Sequence, residues 1–120
     1  MIKGIGTDLV EIDRIEHAMK NERFLEKCYT DNERQIVEGN AQRAAGNFAV
    51  KEAFTKALGT GIRGFSIKEI EVLRDELGKP YITLYGKVKK MTEEMGSCTL
   101  HVSISNTKEY AQAFVIIERD

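Results

Sequence analysis

The sequence predicts an α+β fold, an antiparallel sheet with helices packed on it. Three observations predict it. Segments of period 2 open and close the chain and segments of helical period fill much of the middle, without regular βαβ alternation. Between two short apolar runs, Asp75-Glu76-Leu77-Gly78-Lys79 reads as a hairpin turn with Gly at its positive-φ position. The 120 residues, 42% hydrophobic and 31% charged, suit one domain spanning 1–120, and a single proline with no Ser- or Gly-rich linker offers no boundary.

Residues 2–12 alternate as a strand, with Ile2, Gly4, Gly6, Asp8, Val10 and Ile12 on one face and Ile5, Thr7 and Leu9 on the other; both faces read as half buried. From Asp13 to about Tyr29, apolar Ile15, Met19, Phe24, Leu25 and Cys28 recur among charges, which predicts one or two short amphipathic helices. Thr30-Asp31-Asn32-Glu33 is a capping box and starts another helix. Residues 41–58 form a long helix rich in Ala, Phe, Leu, Lys and Glu that ends at Gly59, where a left-handed residue costs Gly least. Residues 67–74 and 80–85 flank the hairpin turn, with Pro80 at a strand start. Val88, Met91 and Met95 mark a helix over 87–95, and 100–105 and 111–118 return to strand alternation.

Composition narrows the function classes. With 18 Lys and Arg against 19 Asp and Glu, the net charge of −1 removes the bulk electrostatic attraction on which non-specific nucleic-acid binding depends. Cys28 and Cys98 are far apart and lack the spacing of a zinc site or a disulfide framework, which fits a reducing, cytoplasmic setting. The start of the chain reaches Asp8 before any signal-peptide core forms, and the longest uncharged apolar stretch, 110–117, is far short of the about 20 residues of a membrane span.

Three features carry chemistry. Asp8 shares a strand face with Ile2, Val10 and Ile12, and it is either a strand-end carboxylate accepting turn N–H bonds or a metal ligand or catalytic acid. Gly4 and Gly6 on that face leave room for a ligand or for a close backbone approach. The 41–58 helix is apolar almost all round, yet Glu52 and Lys56 lie one turn apart on it. Such a pair is either a solvated stabilising contact worth roughly 0.2–0.5 kcal/mol or a hard oxygen ligand beside a cation for phosphate. His101, Ser103 and Ser105 line the polar face of their strand, a row of small donors that suits a phosphate or an ordinary solvated face equally. Gly59-Thr60-Gly61-Ile62-Arg63-Gly64 matches G-x-G-x-x-G, but a helix precedes it and a strand follows, so it is no dinucleotide loop; Gly59 and Gly61 cap the helix and let backbone N–H groups approach a ligand.

Together, three stretches resemble the short bacterial type of 4′-phosphopantetheinyl transferase, the holo-[acyl-carrier-protein] synthase family. They are Gly4-Ile5-Gly6-Thr7-Asp8-Leu9-Val10-Glu11-Ile12, the specific run Phe48-Ala49-Val50-Lys51-Glu52-Ala53-Phe54-Thr55-Lys56-Ala57-Leu58-Gly59-Thr60-Gly61, and Leu100-His101-Val102-Ser103-Ile104-Ser105. Leu77-Gly78-Lys79-Pro80 falls between them in the expected order. The resemblance implies the 4′-phosphopantetheinyl transferase fold with a ferredoxin-like core, a homotrimer, and coenzyme A held between subunits. It implies transfer of the 4′-phosphopantetheine arm to a serine of apo acyl carrier protein, in support of fatty acid biosynthesis. Asp8 and Glu52 would ligate Mg²⁺, Lys56 would offset phosphate charge, and Lys56, Gly59, Gly61, His101 and Ser103 would meet coenzyme A. Arg14, Lys20, Arg23 and Lys27 are candidates for the acidic carrier, although Asp13, Glu16, Glu22 and Glu26 are interleaved with them. The chain departs from the family at Asn47, where Arg is usual, and at Asn106, where His or Asp is usual, so a missing or replaced substrate contact is expected at each. The competing reading is a non-catalytic α+β ligand-binding or regulatory module in which Asp8 and Glu52 are structural acids.

Overall fold

The computed structural model describes residues 1–60 and 64–120. The elements follow in the order β1 (Ile2–Glu11), α1 (Ile12–Ala18), α2 (Glu22–Cys28), α3 (Asp31–Val37), α4 (Ala41–Leu58), β2 (Ile70–Arg74), β3 (Pro80–Leu84), α5 (Gly86–Glu93), β4 (Cys98–Asn106) and β5 (Tyr110–Arg119). All strand pairings are antiparallel, in one sheet of order β1-β5-β4 and a second, β2-β3. The α+β expectation holds.

Local chemistry sets the element ends. Thr30 and Glu33 exchange the two capping-box hydrogen bonds that start α3. Gly59 ends α4 at φ 78°, and Gly78 turns the β2–β3 hairpin at φ 84°. The expected strand over 67–74 begins later: Ile67–Glu69 is a 3₁₀ turn, because Ser66 and Glu69 form a capping box of their own.

Helix α4 lies across the inner face of the three-stranded sheet and carries the core. Ala44, Ala45, Ala49, Ala53, Ala57, Val50 and Phe54 on it are buried, packed with Val10, Ala111, Ala113, Val115 and Ile117 of the sheet. Small side chains let the helix come close. A Cβ on Gly6 would sit 1.8 Å from the Ala53 carbonyl oxygen, and one on Gly4 1.8 Å from that of Ala57. The glycines of β1 therefore serve a backbone approach, not a ligand cavity.

The opposite sheet face departs from the sequence reading. Ile5 is 58% and Leu9 63% exposed, and with Phe114 at 43% they form an uncovered apolar surface where a half-buried face was expected. Among the described residues nothing buries these three side chains.

Inside, one polar network spans α3, α4 and β2. The fully buried Lys51 ammonium pairs with Glu33 Oε1 at 2.8 Å, and the Asn47 amide donates to Glu33 Oε2 at 3.1 Å and to the Val72 carbonyl at 2.9 Å. Tyr29 donates to the Ala44 carbonyl at 2.8 Å and lies under the Lys51 ammonium, 5.6 Å from its ring centroid. Burial works against both charges, raising the Glu33 carboxyl and lowering the Lys51 ammonium, and their mutual contact opposes this.

Candidate active site

The seat of Gly4 and Gly6 on α4 brings Asp8, next on the same strand face, to the turn of α4 that carries Glu52 and Lys56. Lys56 Nζ donates to the Thr7 carbonyl at 3.0 Å and to Asp8 Oδ1 at 3.2 Å. The cation's partner is thus the strand carboxylate, not the helical Glu52 one turn away, which corrects the pairing suggested by spacing. Glu52 accepts no hydrogen bond among the described residues. Partial burial first, and the neighbouring Asp8 charge second, hold its carboxyl above the ordinary carboxylate range, against Lys56 and Arg14. A half-buried carboxylate without a donor, in the field of a second carboxylate, is a place for a cation.

Arg14 enters this site from α1, and α2 packs beside it through Phe24, whose ring centroid lies 6.0 Å from that of Phe48. Arg14, Lys20, Arg23 and Lys27 are all exposed. Of the interleaved acids, Glu22 is engaged by Arg34 at 2.7 Å, while Asp13, Glu16 and Glu26 stay exposed beside the basic residues.

The structure does not bring every expected residue together. His101 and Ser103 stand opposite Ile116 and Phe114 on the outer sheet face, across the sheet from Glu52. His101 Nε2 lies 2.9 Å from Glu118 Oε1 there. Within one chain these two residues cannot join Asp8, Glu52 and Lys56 around one ligand. Gly59 adopts the left-handed conformation with open space beside its Cα, and Gly61 lies outside the described residues.

At Asn47 the structure fits a missing contact, not a replaced one. Asn47 is fully buried, its amide is spent on Glu33 and Val72, and its own Oδ1 has no partner among the described residues. Asn106, in contrast, lines a pocket of about 240 Å³ with Arg43, Gly46, Arg74, Pro80 and Ile104. Arg74 and Arg43 form no ion pair among the described residues. Burial, then the Arg43 charge, pushes the Arg74 guanidinium below its usual pKa. Two guanidiniums that line one pocket, each without an ion pair among the described residues, could receive an anion. Sequence reasoning missed it because the pair is separated by most of α4 and by β2 in the chain; Arg43 lies one turn before Asn47, and that proximity was the available signal.

The packing of an apolar helix on an antiparallel sheet is shared with a known group. Residues 4–115 match the 4′-phosphopantetheinyl transferase superfamily, and the chain belongs to that family. Among individual relatives, it is 50% identical over 118 residues to the holo-[acyl-carrier-protein] synthase of Lachnoclostridium phytofermentans, covering 98% of this chain and 97% of the relative. The crystal structure of the Neisseria meningitidis holo-[acyl-carrier-protein] synthase superposes with a TM-score of 0.90 at 37% identity, over 99% of this chain and 100% of that one. The Helicobacter pylori holo-[acyl-carrier-protein] synthase in complex with coenzyme A superposes at 0.85 with 33% identity, over 95% and 99%.

Proposed function

We propose that this chain transfers the 4′-phosphopantetheine arm of coenzyme A to a serine of an apo acyl carrier protein, using Mg²⁺ and releasing adenosine 3′,5′-bisphosphate. The observation that carries the proposal is the meeting of Asp8, Glu52 and Lys56 at the junction of β1 and α4. The relatives' names and the coenzyme A complex of the Helicobacter pylori protein support the same reading.

The donor set fits Mg²⁺. Asp8 and Glu52 lie close enough for one carboxylate to act on the other, and a hard, hydrated cation that keeps several waters needs only one or two carboxylates. Asp8 and Glu52 would hold it, and it would supply positive charge to the pyrophosphate oxygens of coenzyme A. Lys56, already aimed by the Thr7 carbonyl, offsets charge on the phosphoryl group that moves. The serine oxygen bonds to the pantetheine-side phosphorus as the bond to the bridging pyrophosphate oxygen breaks. Glu52 takes the serine proton through a water molecule, and the bisphosphate leaves with the bridging oxygen. Arg43 and Arg74 hold the nucleotide's free phosphate.

A homotrimer supports this arrangement. The uncovered apolar face of Ile5, Leu9 and Phe114 needs a cover, and a neighbouring copy seated there would bring its own His101 and Ser103 toward the coenzyme A phosphates. Arg14, Lys20 and Arg23 offer the acidic carrier a basic approach beside the site. The reaction belongs in the cytoplasm, in support of fatty acid biosynthesis.

The test is a mass measurement on apo carrier protein incubated with the enzyme, Mg²⁺ and coenzyme A. A phosphopantetheine adduct on the carrier serine, lost with Asp8→Ala or Glu52→Ala in variants that still fold, is the expected result. No adduct, with coenzyme A still bound tightly, favours the non-catalytic binding module.

A further inference from the structure

Lys51 takes no part in the chemistry above, yet its ammonium is fully enclosed. Its three N–H donors go to Glu33 Oε1 at 2.8 Å, to the Ile67 carbonyl at 3.3 Å and to the Ile70 carbonyl. Every acceptor lies outside α4, on α3 or at the turn entering β2. Asn47, one helical turn earlier on the same side, adds directed bonds to Glu33 and to Val72.

On its sheet side, by contrast, α4 rests on Gly4 and Gly6 through the Ala53 and Ala57 backbone. A seat without side chains resists separation, because the backbones are in contact. It offers few interlocking knobs against rotation of the helix about its axis. Directed hydrogen bonds on the far side supply that resistance.

We propose that Lys51 sets the rotational phase of α4, and through it the meeting of Glu52 and Lys56 with Asp8. A helical side-chain tip stands about 5–6 Å from the axis, so a turn of about 10° carries it through about 1 Å. Displacement on that scale costs about a hundredfold in rate where a reacting group must be placed. Lys51 is thus a positioning residue whose effect on turnover rests on the transferase reading, while its effect on geometry does not.

Lys51→Met keeps an unbranched side chain one atom shorter and removes the cation. Its crystal structure is expected to show α4 rotated and the Lys56–Asp8 contact, 3.2 Å in the parent, opened beyond 4 Å. Transfer to apo carrier is expected to fall about 10- to 100-fold. Val88→Ala, a cavity in α5 away from the site, serves as a control for lost stability and is expected to keep the parent rate. If Lys51→Met does not fold, Lys51→Arg keeps the charge in a bulkier head, and the same rotation and rate loss are expected. An unrotated α4 with the 3.2 Å contact intact in the folded variant overturns the proposal, as does an equal rate loss in Val88→Ala at matched stability. Should the parent itself transfer nothing, the crystallographic comparison still decides the role of Lys51, and only the transferase reading falls.

Discussion

Adding one methyl group at Gly6 tests the junction on which the site depends. A Cβ there would lie 1.8 Å from the Ala53 carbonyl oxygen and 2.8 Å from the Ala57 nitrogen, backbone atoms that cannot rotate away. The first distance is about 1.5 Å short of van der Waals contact, so β1 and α4 must separate by roughly that amount. Overpacking of this kind costs about 1–3 kcal/mol of stability. Because Asp8 rides on β1 and Glu52 on α4, the same separation enters directly into the distance between their carboxylates, and about a hundredfold loss in kcat/KM for transfer is expected of Gly6→Ala. Thermal melts and the rate of mass gain on apo carrier protein measure the two effects. Gly39→Ala is the companion variant: Gly39 has φ 75° with no atom within 4 Å of its would-be Cβ, so Ala there costs about 1–2 kcal/mol through backbone strain alone. It is expected to lose stability and keep its rate. A Gly6→Ala enzyme with parental kcat/KM, or a Gly39→Ala enzyme equally crippled at comparable stability, would refute the reasoning.

Three further outcomes are expected. Arg74→Ala removes half of the unpaired guanidinium pair, and the loss of charge-assisted hydrogen bonds worth about 1.5–3 kcal/mol raises KM for coenzyme A about tenfold to a hundredfold; dephospho-coenzyme A, lacking the free phosphate, should show little change, and an equal loss with both substrates counts against a phosphate contact. Phe114→Glu puts a carboxylate on the uncovered sheet face and is expected to shift the protein to monomer in analytical ultracentrifugation with loss of transfer; a variant that stays oligomeric and active removes this face from the interface. Burial pushes the Cys28 thiol up to about 11, so near pH 8 only about one molecule in a thousand carries the reactive thiolate, the fraction grows as pH rises toward that value, and iodoacetamide should modify Cys28 only after denaturation. Rapid labelling of native Cys28 at pH 8 would contradict its enclosure.

Where structure follows from neighbours in the chain, it is legible in the residues. The Thr30–Glu33 box, the Gly59 stop, the Gly78 turn and the strand start at Pro80 all appear as read, because each is satisfied within a few residues. The enclosure of α4 was visible in its apolar circumference, and Asp8, Glu52 and Lys56 stood out as charges in apolar surroundings before the fold brought Lys56 onto Asp8. Contacts between distant segments were not. Lys56 has both Glu52 one turn away and Asp8 across the junction, and only the packing of β1 on α4 decides for Asp8. Glu33 reads as a capping residue and Lys51 as one more helix charge, although both are fully buried, since burial of a polar side chain is decided by what folds over it. Asn47 looks like a lost arginine until its amide is found inside that network. The outer face of β1 was misjudged because period-2 alternation tells which residues share a face and says nothing about whether the chain has anything left to cover it.

On the proposed function, the contact between Lys56 and Asp8 would tie two binding events into one equilibrium. A cation drawn to Asp8 competes with the lysine for that carboxylate, and whatever displaces the lysine frees its charge for an incoming phosphate. Metal and nucleotide are then expected to strengthen each other's binding by the same factor, since linkage is reciprocal. Before either arrives, the Asp8 carboxylate and the Lys56 ammonium neutralise each other, so neither of these two groups is free to gather stray metal or stray phosphate.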